Sequence, residues 1–236
     1  MQKFIINFLL LTLIFPFPNN PPNAVTGAPG EGTCRNCHTS YPLNSGSGNV
    51  DILGIPDAII PGETYQLQVK VSHPTLTRWG FEVTAKFSNN TQSGSFDITD
   101  DNHTISGIQS GITYIKQRSV GTFSGQAESA TWDMDWTAPS IFPSDITFYA
   151  AGLTSNSANG NSGDYVYTTS FSTIEGEECE AGDFNEDGII NVLDIVQIVN
   201  YILGPDNGDA YCGDVNEDGT LNILDIVSIV NIILGN

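Results

Sequence analysis

The chain has 236 residues, 27 acidic against 7 basic, and a formal net charge of −20. That imbalance excludes nucleic acid and anionic membranes as partners, because both are gripped through clustered Lys and Arg. Few charges overall, together with many Gly, Ser, Thr and Asn, fit an exported globular chain of one large or two unequal domains.

At the N-terminus, Lys3 precedes an apolar run from Phe4 to Phe17, which ends in the break "PNNPPNA". This reads as a secretory leader over residues 1–24. The run contains Asn7 and falls short of the roughly 20 apolar residues that a spanning helix needs. No later segment is long and apolar enough to span a bilayer. The mature chain is therefore expected to be secreted or held at the cell surface.

The next segment, "GEGTCRNCHTS", sets two cysteines and a histidine in the pattern C-x-x-C-H. Covalent haem would use all three: each thiol adds to one vinyl group, and His38 supplies the proximal nitrogen beside Cys34 and Cys37. A Cys34–Cys37 disulfide is the simpler alternative in an oxidising compartment, and it leaves His38 without a role. Structural zinc needs four ligands where these residues offer at most three. For a haem, His73, His103, Lys116 and Met134 are the candidates for a second axial ligand, or the iron is five-coordinate.

From Gly46 to Ser172 the hydrophobic period is two. "YQLQVKVS" and "FEVTAKF" read as half-buried strands, and "VDIL", "SFDIT", "ITYIK", "TWDMDW", "ITFYAAG" and "YVYTTSFS" add six more. Some eight short strands separated by turn signals predict a β-sandwich. Trp132, Met134 and Trp136 share one strand face, as do Ile146, Phe148 and Ala150, so both sets are expected in the core. The segments "TGAPGEGTCRNCH", "PGETYQLQV", "RWGFEVTA", "WDMDWTAP", "ITFYAAG" and "SGDYVYTTS" together resemble the reelin-like (reeler) domain of exported bacterial proteins. The resemblance implies a mainly β, immunoglobulin-like sandwich over residues 25–174 and no established catalytic activity. Members of that family often carry Tyr-Val-x-His where this chain has Tyr114, Ile115, Lys116 and Gln117, so the expected distal histidine is absent. Glu82, Asp97, Glu128, Asp133 and Asp135 are candidate carboxylates for glycoside chemistry, but their spacing singles out no pair.

The composition changes at about Glu175, where a second domain, residues 175–236, is expected. It holds fourteen of the acidic residues and no Lys or Arg. Here "GDFNEDGIINVLDIVQIVNYILG" recurs as "GDVNEDGTLNILDIVSIVNIILG", identical at seventeen of twenty-three positions. Each copy opens with D-x-N-x-D-G-x-x-N-x-x-D, the oxygen spacing of a calcium loop with a glycine at its sharp turn. The ligands expected for the first of two calcium ions are Asp183, Asn185, Asp187, the Ile189 carbonyl, Asn191 and Asp194. For the second they are Asp214, Asn216, Asp218, the Thr220 carbonyl, Asn222 and Asp225. An amphipathic helix follows each loop and stops at Gly204 or Gly235.

These paired loop-helix repeats resemble a type I dockerin, a small all-α calcium module that binds cohesin domains. Where dockerins of cellulose-degrading clostridia usually carry Ser or Thr at loop positions 10 and 11, this chain has Val192, Leu193, Ile223 and Leu224. The resemblance carries over the calcium sites and implies a cohesin-like partner, without identifying it. Cys179 and Cys212 stand at comparable places before the two loops and are expected to form a disulfide.

Together these readings describe a non-catalytic secreted binding or structural protein, docked to a cohesin-type partner or to the cell surface. The alternative is an extracellular c-type haem protein with a redox partner. Membership of a polysaccharide-degrading assembly, with a carbohydrate ligand, follows only by association with other dockerin carriers.

Overall fold

The computed structural model describes residues 20–157, 160–176, 180–185, 187–204, 211–216 and 218–235. The apolar run expected as a leader lies outside the described residues, and so does Cys179. The chain divides into two compact units, residues 1–176 and 177–236.

The first unit is the expected β-sandwich, with the eight strands foreseen and two more. One sheet has the order β1 (Asn49–Leu53), β3 (Thr64–Ser72), β8 (Ser129–Thr137), β5 (Ser95–Ile98). The other has the order β2 (Ala58–Ile59), β10 (Tyr165–Glu175), β9 (Ile146–Ser155), β4 (Arg78–Phe87), β7 (Ile112–Gln117), β6 (Thr104–Gln109). All pairings are antiparallel except that of β2 with β10. The additional strands are β2, of two residues, and β6, where Gly107 interrupts the hydrophobic alternation. A side chain at Gly107 would collide with Asn23, so the glycine lets the N-terminal segment lie against this edge.

The core fills the space between the sheets. Trp132, Met134 and Trp136 from β8 meet Phe81 and Val83 from β4 and Ile146, Phe148 and Ala150 from β9. Each buried indole N–H finds a carbonyl: Trp132 donates to Gly121 at 2.9 Å, Trp136 to Ser93 at 3.2 Å and Trp79 to Gln126 at 3.0 Å. Satisfied in this way, the large rings add apolar area without an orphaned donor.

Strand β4 departs from the half-buried expectation, because every residue from Trp79 to Lys86 is buried. Its inner residues face the core, whereas Glu82, Thr84 and Lys86 lie under a second cover, the N-terminal segment carrying the cysteines. Val25 N–H donates to Glu82 Oε2 at 2.8 Å. Glu31 accepts from Lys86, from Thr26 Oγ1 at 2.5 Å and from Tyr114 OH at 2.5 Å. Residues just upstream belong to the same cover: the buried Lys116 ammonium donates to the Pro21 carbonyl at 2.5 Å and to Asn23 Oδ1.

The second unit contains the two expected helices, α1 (Val192–Leu203) and α2 (Ile223–Leu234). Both begin immediately after a loop and are capped by residues of that loop. Its small core is centred on Ile198 and Ile229, which are fully buried, with Phe184 packed edge-on against Tyr201 at 5.7 Å. Cys212 is disulfide-bonded, while Cys34 and Cys37 of the first unit are free thiols. Among the described residues no helix is long and apolar enough to cross a membrane.

Candidate functional site

The cysteine segment is shaped by its own short-range bonds. Cys34–Asn36 form a single 3-10 turn, opened by Thr33, whose hydroxyl accepts from Arg35 N–H at 3.1 Å. Cys37 N–H and His38 N–H both return to the Cys34 carbonyl, at 3.2 and 3.0 Å. The turn thereby brings Cys34, Cys37 and His38 to one wall of a cavity of about 520 Å³ in the first unit. Ligand cavities span roughly 300–1,000 Å³, so the volume suits a large organic group. Trp79, Phe81, Glu82 and Gln117 also line it.

His38 Nδ1 lies 2.7 Å from Oδ2 of the buried Asp164. In a neutral ring the contact with this carboxylate calls for the proton on Nδ1, which leaves the Nε2 lone pair to a metal. This is how a ligating histidine is usually oriented. Burial pushes the Cys34 thiol up to about 12, helped by the negative charge of Glu82. A redox-active C-x-x-C motif needs the opposite, a thiolate favoured by its surroundings. Burial also raises Glu82 to about 8, against the opposing effects of the Val25 N–H and of Lys116. Its Oε1 is buried without a hydrogen-bond partner.

Among the described residues no three His, Cys, Asp or Glu side chains gather around a metal position, and Cys34, Cys37 and His38 are no exception. The residues that sequence reasoning offered as a second axial ligand lie elsewhere. Met134 is sealed in the sandwich core. His73 Nδ1 accepts from Thr75 and Leu76 N–H, and its ring stacks on Tyr165. His103 is paired with Asp100 and stacked on Phe123, and Lys116 is engaged with Pro21 and Asn23.

In the second unit the two loops repeat the same geometry. Gly188 N–H donates to Asp183 Oδ2 at 2.8 Å, and Gly219 N–H to Asp214 Oδ2 at 2.8 Å. Both glycines have φ near +79°, the left-handed conformation that the turn requires. Asn185 and Asn216 accept from the N–H of Asp187 and Asp218, which in turn accept from Ile189 and Thr220 N–H. Asn191 and Asn222 cap the helices and bond Leu193 and Leu224 N–H at 2.8 Å. Asp194 and Asp225, both wholly buried, complete reciprocal capping boxes and reach back across the loop to Asn185 and Asn216 N–H. These bonds close both loops in the same way. The carboxylates of a loop do not form a metal cluster by themselves. Each loop's donor set is instead three carboxylates, two amide oxygens and a carbonyl, the hard, mixed-oxygen chemistry that suits calcium.

Residues 181–234 match the family described as the dockerin type I domain. The second unit is a type I dockerin domain. No curated protein matches the chain. Among solved structures, the chain is similar to the Reelin-N domain of F-spondin, at 17% identity, covering 61% of this chain and 98% of that one with a TM-score of 0.42. The human F-spondin reeler domain gives 17%, 57%, 94% and 0.41 for the same measures. The sixth cohesin of scaffoldin B from Acetivibrio cellulolyticus, solved with a dockerin, gives 13%, 56%, 100% and 0.33.

The apolar face of the dockerin domain is only partly used for packing. In α1, Val192, Leu193, Val196 and Leu203 are exposed, at 62%, 55%, 50% and 79%, while Ile198 alone of its aliphatic residues is fully buried. In α2, Ile223, Leu224 and Val227 are exposed at equivalent places. The sequence pattern gives each helix one broad apolar face. Two twelve-residue helices have too little surface between them to cover it.

Proposed function

We propose that the dockerin domain is a calcium-dependent docking module that holds the sandwich on a cohesin-type partner outside the cell. The observation that carries this reading is the doubled apolar surface at loop positions 10 and 11, Val192 with Leu193 and Ile223 with Leu224, set beside two calcium-type loops. An exposed aliphatic cluster of this kind marks an interaction surface. Calcium would be held by Asp183, Asn185, Asp187, Ile189, Asn191 and Asp194 in the first loop. Asp214, Asn216, Asp218, Thr220, Asn222 and Asp225 would hold it in the second. The bound ion supplies positive charge that relieves repulsion among the carboxylates. The protein's own loops fix the helix N-termini, and so the docking surface, in place. A place in a polysaccharide-degrading assembly extends this reading.

The test is calorimetric titration of the full chain with a recombinant type I cohesin, with and without chelator. Binding should require calcium and be lost when Asp183 and Asp214 are both replaced by Ala. Equal binding with and without chelator would refute calcium-dependent docking.

The sandwich unit supports a second reading, covalent haem on Cys34, Cys37 and His38. The observation favouring it is the buried Asp164 that orients His38, beside a cavity flanked by both thiols. The leader, on the same view, ends upstream of Pro21. Cleavage after Ala24 would remove both acceptors of the buried Lys116 ammonium.

A further inference from the structure

The floor of the cavity in the sandwich unit carries an inference of its own, independent of haem attachment. We propose that this cavity binds a short zwitterionic peptide, with the peptide's ammonium end at Glu82 and its carboxylate end at Arg78.

The floor is the outward face of β4. Side chains alternate along a strand, and the rings of Trp79 and Phe81 turn into the core, where Phe81 stacks on Trp132 at 4.4 Å. Arg78, Gly80 and Glu82 are left on the cavity side. They set a guanidinium and a carboxyl group at the two ends of a stretch that has no side chain at its middle. Four residues of strand separate those ends by roughly 13 Å. An extended peptide of two or three residues reaches roughly 7–10 Å, and a charge-assisted hydrogen bond of about 2.8 Å at each end completes the span.

Each end is short of a partner. Glu82 is 1% exposed, and its Oε1 has no hydrogen-bond partner, while Oε2 accepts from Val25 N–H. Lys116, opposite Glu82 on β7, turns its ammonium to Pro21 and Asn23 instead. Burial favours the protonated form of Glu82 below about 8, and an ammonium at Oε1 opposes that by stabilising the carboxylate. Among the described residues the Arg78 guanidinium has no hydrogen-bond or ion-pair partner. The other carboxylates nearby are taken, Glu31 by Lys86, Tyr114 and Thr26, and Asp164 by His38. Between the two ends, Phe81 N–H holds Gln117 Oε1 at 2.8 Å, and the Gln117 amide nitrogen lies over Gly80, within 3.1 Å of where a Cβ would stand. That nitrogen is a donor placed for a peptide carbonyl. A ligand with one charge would leave the other end unmatched, and a neutral one would leave both.

The experiment is isothermal titration calorimetry of the full exported chain at neutral pH, with trialanine, N-acetyl-trialanine and trialanine amide as the ligands. Trialanine should bind saturably. Blocking either terminus should weaken binding by at least about tenfold, the loss expected for one charge-assisted hydrogen bond. Glu82→Gln should shrink the cost of N-acetylation, and Arg78→Gln the cost of amidation, because the change in the protein and the change in the peptide then remove the same contact. No saturable binding of trialanine at millimolar concentration would overturn the proposal. So would equal binding of the three peptides, or a blocking cost that the matching variant leaves unchanged. Should a variant fail to fold, the three peptides on the wild-type chain decide alone.

Discussion

Replacing Asp194 by Ala should remove calcium chemistry and helix capping together from the first loop of the dockerin domain. The Asp194 carboxylate is wholly buried and accepts two backbone bonds, from Asn185 N–H at 3.0 Å and Asn191 N–H at 2.8 Å. Hydrogen bonds to charged groups contribute about 1.5–3 kcal/mol each, so taking the lower value the loss is about 3 kcal/mol. A domain of about 60 residues has only ~3–9 kcal/mol in total, at roughly 0.05–0.15 kcal/mol per residue. Each kcal/mol moves Tm by roughly 4–8 °C at this size, giving an expected drop of about 12–24 °C. Calcium at a hundredfold excess over Kd adds about 2.7 kcal/mol per site, and the variant loses that at the first loop as well. Far-ultraviolet circular dichroism melts of the full chain, with calcium and with chelator, measure both effects. Asp225→Ala should behave alike, since its bonds, at 3.3 and 2.8 Å, are equivalent. Asp194→Asn keeps the shape and should retain more structure while losing calcium dependence. An Asp194→Ala melt that matches wild type in both conditions would refute the assignment of one carboxylate to both roles.

Leu193→Asp combined with Leu224→Asp should weaken cohesin binding by at least about tenfold, since about 1.4 kcal/mol suffices and two buried aliphatic contacts exceed it. The calcium-loaded Tm should stay near wild type, because both side chains are more than half exposed; a fall in both together would mean structural damage. Glu82 gives a pH dependence in the sandwich unit. Burial raises its folded pKa to about 8 from an ordinary 4.5, so the stability present below the ordinary value is lost as pH rises towards about 8. Thermal melts across that window should show the sandwich weakening by on the order of a few kcal/mol, and Glu82→Gln should flatten the profile; parallel profiles would refute the assignment. Deleting residues 20–24 from the mature chain should lower the sandwich melting temperature by stranding Lys116, and an unchanged melt would show that the Pro21 and Asn23 contacts carry no weight.

Much of this molecule was legible in the sequence because its periodic signals are local. The strand alternation of β3 and β8 marks the core faces directly, and the repeat announces two like loop-helix units, each of which the structure caps in the same way. What escaped notice depends on contacts distant in sequence. Glu82, Thr84 and Lys86 stand on the outward face of β4 and read as solvent-facing, yet residues 20–38 cross over them. No pattern within β4 announces that cover. Gly107 broke the alternation of β6 for a reason visible only once Asn23 lies against it. Asp164, 126 residues from His38, likewise gives no sign in sequence of the bond that orients the ring. The exposure of many aliphatic residues on α1 and α2 was not fixed by their periodicity for a related reason. Hydrophobic periodicity shows that a face will be covered, but not whether its cover comes from the same chain.

The pairing of β10 has a mechanical consequence. It is the last strand before the dockerin domain, so tension on a docked molecule enters the sandwich at Glu175. Nine residue pairs, from Tyr165 to Thr173, join it to β9 along its length, and its final two residues lie parallel to β2. A pull along the strand axis loads these rungs side by side in shear, instead of opening them one after another from an end. Were the dockerin domain held by a partner, a load of that kind would fall on all nine pairs together.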